Sequence, residues 1–297
     1  MRTVTLGSAG PVVPLQGLGC MRLTGAHPSA DAAVKVIHRA LDLGVTLLDT
    51  ADLYGGGSNE RLLAQALRGR REEALLCTKF GVVRTPDGLG VRGDAGYVHA
   101  AVDASLARLG VDVIDVYYLH DRDRTVPIEE TVGAMAELVT AGKVRHLGLS
   151  NVAEDDIRAA HRVHPIAAVQ AEWSLVGRSV EEVVPTCRAL GIGVVAYCPQ
   201  GAGGLNLDRP PPPRPPHIAG ASATLAEVVR AVAEDRRVSP GQVALAWVQQ
   251  RAEVWELPVV PIPGTSRTAH LEQNVAAVDL RLDPAELTAL DGASQPG

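Results

Sequence analysis

The chain alternates eight times between a short apolar run and a longer amphipathic stretch, and this alternation constrains its fold more than any other feature. The apolar runs are rich in Val, Ile and Leu, as expected of strands that are buried on both faces. They cover residues 15–20, 46–49, 74–80, 113–120, 144–149, 167–170, 193–197 and 258–262. Eight buried strands separated by helices predict a closed parallel (β/α)8 barrel, the TIM barrel, with an open doubly wound sheet as the alternative.

The amphipathic stretches between these runs have the periodicity of helices that pack one face on a sheet. They cover residues 31–43, 59–67, 97–109, 129–141, 154–163, 181–190, 224–234 with 240–250, and 267–276. Gly44, Gly110, Gly142 and Gly191 follow four of them, where a helix commonly ends in a left-handed residue. An N-terminal β-hairpin is predicted around the turn at 7–11, where it would close the bottom of the barrel.

Length and composition fit a single barrel domain over residues 1–297. With 46% hydrophobic and 21% charged residues the chain can bury a large core, and no apolar run reaches the ~18 residues of a membrane span. A net charge of −6 disfavours nucleic acid and anionic membranes as partners. Four cysteines without a CxxC pair, and a start without an apolar leader, predict a reducing, cytoplasmic location. The proline-rich segment 210–216 is interpreted as a stiff lid over the strand ends.

Chemistry in such a barrel gathers at the carboxyl ends of the strands. Three neighbouring predicted strands end in an acid, Asp49, followed by a phenol, Tyr54; in an amine, Lys79; and in an imidazole, His120. A lysine cation favours the phenolate form of a nearby tyrosine, and a carboxylate holds that lysine in place. A histidine can hold a carbonyl oxygen beside the phenol. The set therefore predicts a proton donor to a developing alkoxide, which still needs a source of hydride.

Other catalytic classes leave no pattern in the sequence. It has no GxSxG nucleophile elbow and no HExxH zinc motif. No metal site is predicted.

The stretch Asp49-Thr-Ala-Asp-Leu-Tyr54-Gly resembles the first signature of the aldo-keto reductase family, and Lys79 and His120 stand where the family's motifs place them. Further similarity runs from the glycines at 17 and 19 to Asn274. The resemblance implies a (β/α)8 barrel that reduces aldehydes and ketones with an extended nicotinamide cofactor, usually NADPH (NADP⁺). It also implies a small-molecule carbonyl substrate.

The resemblance further assigns roles to individual residues. Tyr54 would be the general acid, Lys79 paired with Asp49 would depress its pKa, and His120 would orient the carbonyl. The cofactor contacts would come from residues that follow the later strands. Among these, Ser150, Asn151 and Gln170 would bind the nicotinamide carboxamide, Trp173 would stack on its ring, and Tyr197, Gly264, Thr265, Ser266, Arg267 and Asn274 complete the set.

The end of the cofactor that carries phosphate can also be argued from the residues themselves. Gly264 to Arg267 join the last strand to a helix, and backbone N–H groups at a helix start bind anions. The adenosine 2′-phosphate of NADPH is therefore predicted to lie there. Relatives often carry a second basic residue where this chain has Ser266.

Two alternatives to carbonyl reduction remain open from the sequence. Potassium-channel β-subunits share this fold and act chiefly as cofactor-bearing partners, and the same chemistry can run in the cell as alcohol oxidation.

Overall fold

The described residues form twelve short strands. The computed structural model describes residues 1–25, 29–203, 205 and 221–294. The strands are β1 (Thr3–Thr5), β2 (Val12–Pro14), β3 (Leu18–Gly19), β4 (Leu47–Asp49), β5 (Leu75–Phe80), β6 (Val82–Thr85), β7 (Gly88–Val91), β8 (Ile114–Leu119), β9 (Val144–Ser150), β10 (Ile166–Glu172), β11 (Gly193–Tyr197) and β12 (Val259–Pro261). Two antiparallel hairpins, β1–β2 and β6–β7, stand apart from the eight remaining strands.

The eight remaining strands form one parallel sheet in the order β3-β4-β5-β8-β9-β10-β11-β12. A parallel bridge between Gly19 and Gly264 joins the first strand to the end of the last. The Gly17 amide donates to the Pro261 carbonyl at 3.0 Å across the same seam. A Cβ on Gly19 would lie 2.8 Å from the carbonyl oxygen of Ile262, so glycine is what permits this approach. The sheet is therefore a closed (β/α)8 barrel, which confirms that prediction over the open sheet.

Ten helices are found in the described ranges, and most of them surround the barrel. They are α1 (Ala30–Asp42), α2 (Ser58–Ala66), α3 (Ala95–Leu109), α4 (Ile128–Thr140), α5 (Glu154–Val163), α6 (Val184–Leu190), α7 (Ala223–Arg236), α8 (Pro240–Trp255), α9 (Thr268–Ala276) and α10 (Pro284–Ser294). The glycines predicted to end four helices all have left-handed backbone, with φ between 65° and 79°. Ser29, Asp94, Ser222 and Ser239 each cap a helix start by accepting from a backbone N–H.

Two apolar clusters form the core, one on each side of the sheet. The larger lies between the strands and the helices. The smaller fills the inside of the barrel and contains Leu6, Val13, Leu47, Cys77, Val116, Tyr118, Ala168, Val195, Val260 and Ile262. Leu6 and Val13 come from the N-terminal hairpin, which therefore contributes to the barrel interior. Gly148 makes room there, because a Cβ would lie 2.3 Å from Cε1 of Tyr118.

Three features differ from the sequence prediction or escape it. The hairpin β6–β7 and the last helix α10 were not predicted. Residues 179–182 form a separate 3-10 turn, so α6 begins only at Val184, with Pro185 in its first turn. The proline-rich segment 210–216 lies outside the described residues. None of the described helices is long and apolar enough to cross a membrane.

We predict that Leu6→Ala lowers the free energy of unfolding by about 2–5 kcal/mol, because Leu6 is fully buried and its loss leaves a cavity. Urea unfolding measures the change. Val12→Ala in the same hairpin is the matched control, since Val12 is 64% exposed and its truncation should cost less than about 0.5 kcal/mol. Equal effects of the two substitutions would show that the hairpin does not close the barrel.

Candidate active site

Side chains on the inner face of the barrel continue the interior cluster toward its carboxyl end. Successive residues of a strand point to opposite faces, so a residue two positions beyond an interior residue also points inward. This alternation links Leu47 to Asp49, Cys77 to Lys79, Tyr118 to His120, Ala168 to Gln170, and Val195 to Tyr197. The strands β4, β5 and β8 are adjacent, so three of the four predicted catalytic residues meet by register alone. Tyr54 joins them from a 3-10 turn that follows β4.

Lys79 connects Asp49 to Tyr54. Its Nζ donates to Asp49 Oδ1 at 2.5 Å and to the Thr50 carbonyl at 2.7 Å, and it lies 3.5 Å from the Tyr54 hydroxyl. The other carboxylate oxygen of Asp49 accepts from Gln170 Nε2 at 2.8 Å, across the barrel. Lys79 and Asp49 are both almost fully buried. A buried pair of this geometry, with its remaining donors and acceptors engaged, keeps a fixed charge beside the phenol.

The protonation states of the site follow from burial and from this pair. Burial by itself lowers the pKa of Lys79, but Asp49 and Tyr54 together raise it above its usual value. Burial, and then the Lys79 charge, lower the pKa of His120 to about 3, so its imidazole is neutral at ordinary pH. The rings of Tyr54 and His120 meet edge to face, with centroids 5.9 Å apart.

The expected depression of the Tyr54 pKa is not the net result. Burial raises the pKa of the phenol above 10, and this effect exceeds the opposing influence of the Lys79 charge. Lys79 therefore limits the rise instead of producing a fall. The phenol remains protonated at neutral pH, which is the form that a proton donor requires.

The residues after β9 and β11 form the next part of the barrel edge. Ser150 is buried, and its Oγ has no hydrogen-bond partner within the described residues. Asn151 has a left-handed backbone with φ 55°, and Cys198 likewise with φ 48°. The Tyr197 hydroxyl donates to Asn151 Oδ1 at 3.0 Å. Strained backbone at two strand ends, together with an unpaired hydroxyl, is typical of a ligand site.

Trp173 does not belong to this edge, and the prediction that it stacks on the nicotinamide is wrong. Its side chain has no exposed surface and packs in the outer cluster, between strands and helices. Its Nε1 donates to Glu181 at 3.1 Å. Gln170 faces inward, and a residue three positions later falls on the opposite face. Tyr197, which is half-buried at the end of β11, is an aromatic side chain that faces the interior at the mouth of the barrel.

The loop from Gly264 to Arg267 leads into α9. Gly264 and Arg267 are exposed, Ser266 is partly exposed and Thr265 is buried. The Arg267 amide donates to Thr265 Oγ1 at 3.2 Å, and no side chain caps the start of α9. The start of α9, which has no side-chain cap, and the exposed Arg267 guanidinium beside it can together bind an anion.

Asn274 lies on α9 itself, near the end of that helix, and is also buried. Its Oδ1 accepts from Gln200 Nε2 at 3.0 Å. The structure thus places Asn274 within reach of the loop after β11.

Three residues of the segment after β4 contribute in ways that sequence reasoning missed. Asn59 is buried, and it accepts from Thr50 Oγ1 at 2.6 Å while donating to the Cys20 carbonyl at 2.8 Å. Glu60 is fully buried between Thr78 and Arg108. Asp52 has a buried oxygen with no partner in the described part of the chain. The signal available in the sequence was the presence of polar residues on both sides of the Tyr54 turn, Asp52 before it and Asn59 and Glu60 after it.

No group of three or more His, Cys, Asp or Glu side chains in the described ranges could hold a metal ion. A closed barrel with a buried ion pair and a phenol at its carboxyl edge has the features of an enzyme active site.

Comparison with known proteins then identifies the family. The model of the aldo/keto reductase family matches residues 17–295, so the chain belongs to that family and is an NAD(P)H-dependent oxidoreductase.

Solved structures with the same fold include enzymes with bound cofactor. An aldo/keto reductase from Klebsiella pneumoniae, solved with NADP and acetate, is 31% identical over 100% of this chain and 96% of that chain, with a TM-score of 0.81. Another structure from Klebsiella pneumoniae, solved with NADPH, is 30% identical with the same coverage and a TM-score of 0.82. The holo form of a Bacillus halodurans aldo-keto reductase is 28% identical over 99% and 97% of the two chains, with a TM-score of 0.83.

We predict that Asp52→Asn stabilises the protein at pH 8 and has little effect near pH 4. Burial, and then the charge of Glu60, raise the pKa of Asp52 from its usual 3.8 to about 7. The folded state thus retains a proton that the unfolded chain releases, so wild-type stability falls as the pH rises from about 4 to about 7. Asparagine removes this loss, which is on the order of 2–4 kcal/mol. Urea unfolding from pH 4 to pH 8 measures it.

Asp87→Asn, in the exposed turn of the β6–β7 hairpin, is the matched control and should show a flat difference from wild type. A flat difference for Asp52→Asn as well would contradict the raised pKa.

Proposed function

We propose that the protein reduces an aldehyde or ketone to an alcohol with NADPH, and that Tyr54 is the general acid. The observation that carries this proposal is the Lys79 Nζ atom, buried and charged, at 3.5 Å from the Tyr54 hydroxyl and 2.5 Å from Asp49. A phenol in this setting has a cation ready to stabilise the phenolate that remains once its proton has left. The neutral His120 imidazole lies edge to face with the same phenol.

The barrel edge fits a nicotinamide cofactor. Ser150 has a buried hydroxyl with no partner among the residues that the structure describes, and the adjacent Asn151 is hydrogen-bonded to Tyr197. We assign Ser150, Asn151 and Gln170 to the carboxamide, although Gln170 Nε2 also donates to Asp49. Tyr197 replaces Trp173 as the aromatic ring against the nicotinamide. When bound, the cofactor would supply the hydride that the protein's own side chains lack.

The side chains then have separate tasks in the reaction. We assign the Tyr54 hydroxyl and a ring N–H of neutral His120 as the two donors to the carbonyl oxygen, because the two rings lie edge to face. As negative charge develops on that oxygen, Tyr54 releases its proton to it. Lys79 stays charged throughout because Asp49 accepts from it, and its charge stabilises the phenolate. In the direction of alcohol oxidation, which the same residues permit, the phenolate takes the proton back.

The loop from Gly264 to Arg267 is proposed to bind the adenosine 2′-phosphate, and Asn274 the adenine. The exposed Arg267 and the uncapped start of α9 support this assignment. The NADP- and NADPH-bound relatives also support a phosphorylated cofactor.

Tyr54→Phe should lower kcat/KM for aldehyde reduction by about 10²–10⁴-fold while the Kd for NADPH stays within about twofold, because the lost proton donor acts only in the transition state. NADPH absorbance with a panel of aldehydes measures turnover, and fluorescence titration measures binding. Tyr97→Phe is the matched control, since Tyr97 lies on α3 and should retain full activity. Wild-type turnover in Tyr54→Phe would refute the assignment of the acid. Tight NADPH binding without turnover of any aldehyde by the wild type would instead favour a cofactor-bearing partner protein.

Arg267→Ala should weaken NADPH binding by about ten- to a hundredfold, because a charged hydrogen bond from arginine to phosphate contributes about 1.5–3 kcal/mol. NADH lacks that phosphate and should lose little affinity. Titration of both cofactors into wild type and variant decides the matter. Parallel losses for NADH and NADPH would show that Arg267 supports the fold or the pyrophosphate instead.

A further inference from the structure

A second, unassigned site lies in the outer helix layer, where α2 and α3 pack side by side. A hollow of about 390 Å³ opens there to the surface. Its lining consists of Arg61, Ala64, Gln65, Arg68, Ala107 and Arg108. Three of these six side chains are arginines and none is acidic. The hollow shares no residue with the catalytic group or with the cofactor loop after β12.

Two of the arginines are free to bind a ligand. Arg61 lies on α2, Arg68 lies in the turn just after it, and both line the hollow. Both are exposed, and neither side chain forms a hydrogen bond or ion pair within the described ranges. Gln65 lies between them and adds an amide donor to the same wall.

The third arginine is fixed in place. Arg108 Nε donates to Glu60 Oε2 at 2.5 Å, and Nη2 donates to Ser105 Oγ at 3.1 Å. Glu60 is fully buried, so its carboxylate must keep Arg108 as its partner; an unpaired buried charge would cost several kcal/mol. Arg108 therefore forms a fixed wall of the hollow, and its side chain does not move toward a bound ligand.

These pairings determine the charge that the hollow can accept. Arg108 and Glu60 neutralise each other, and Arg61 and Arg68 leave a local charge of +2 in a chain whose net charge is −6. A phosphate group carries about −1.5 to −2 at pH 7, with three oxygens that accept charged hydrogen bonds. The planar guanidinium fork matches phosphate oxygens in pairs, which a single lysine ammonium cannot do.

We propose that the hollow between α2 and α3 binds a phosphate dianion, either the free ion or the phosphoryl group of a small phosphomonoester. Because Arg108 also packs along Gly57, whose Cβ would lie 2.5 Å from its Cδ, an anion there lies one side chain away from the turn that carries Tyr54. The site is separate from the cofactor's own phosphate, which the proposed function assigns to Arg267.

The test measures binding by the line width of the ³¹P resonance, with inorganic phosphate and glycerol 3-phosphate as the two probes. All proteins carry Arg267→Ala, so the cofactor loop contributes no arginine. In that background, the additional pair Arg61→Ala/Arg68→Ala should raise the Kd about tenfold or more. Both positions are exposed, so the fold should be unchanged, as circular dichroism checks. Arg61→Lys/Arg68→Lys should recover part of the affinity.

The matched control is Arg162→Ala/Arg230→Ala, which removes two exposed arginines from α5 and α7 and changes the net charge equally. It should keep the parent Kd. Binding of inorganic phosphate alone identifies the free ion as the ligand, and binding of both probes identifies the phosphoryl group; either result supports the site. An equal loss in the control pair, an unchanged Kd in Arg61→Ala/Arg68→Ala, or equal affinity for the monoanion acetate, measured by competition, would overturn the proposal.

Discussion

The buried ion pair between Lys79 and Asp49 is the interaction on which the site depends. It joins β5 to β4 at 2.5 Å, and the bond from Gln170 to the second Asp49 oxygen extends it across the barrel to β10. Removing two charges from water is costly, and only close geometry with further hydrogen bonds offsets that cost. The strands must therefore hold their register to within a fraction of an ångström, since a slip of one residue would turn both charges away from the interior.

Burial and the Lys79–Asp49 ion pair together give three neighbouring side chains three different protonation states. Lys79 is charged because it has a carboxylate partner, His120 is neutral because it is buried and lies near a cation, and Tyr54 is protonated because it is buried. The same low-dielectric environment therefore produces a cation, a neutral hydrogen-bonding ring and an acid. The chemistry of the site follows from which group has a partner more than from which residue types are present.

The sequence predicted the barrel because strands buried on both faces leave continuous apolar runs, and each of the eight runs overlaps an observed strand. The hairpin β6–β7 was missed because its residues are mostly exposed or partly exposed, which leaves no burial pattern to detect. The C-terminal α10 was missed as well, and of its residues only Leu290 is buried.

Within the site, Asp49, Lys79 and His120 could be proposed because a motif and a strand end coincide at each of them, whereas Tyr54 was proposed from the motif alone. Trp173 was assigned to the cofactor from the resemblance alone, whereas strand parity separates it from the inward-facing Gln170 and is consistent with its burial in the outer cluster. The direction of the Tyr54 pKa shift could not be predicted from its neighbours in sequence. Burial is the largest cause of that shift, and burial depends on the whole fold. Asn59 and Glu60 act through contacts with Cys20 and Arg108, which are distant in sequence and adjacent only in the folded chain.

The seam that closes the barrel has a consequence for its motions. β3 has two residues and β12 three, and the seam between them consists of one bridge and the amides of Gly17 and Gly19, the second at 3.4 Å from the Pro263 carbonyl. Local opening therefore costs least at this seam, while the longer pairings of β8, β9 and β10 stay closed. Such an opening separates the turn after Cys20 from the loop at Gly264. Amide hydrogen exchange in the barrel thus begins where the two ends of the sheet meet, and any ligand that spans that gap slows it.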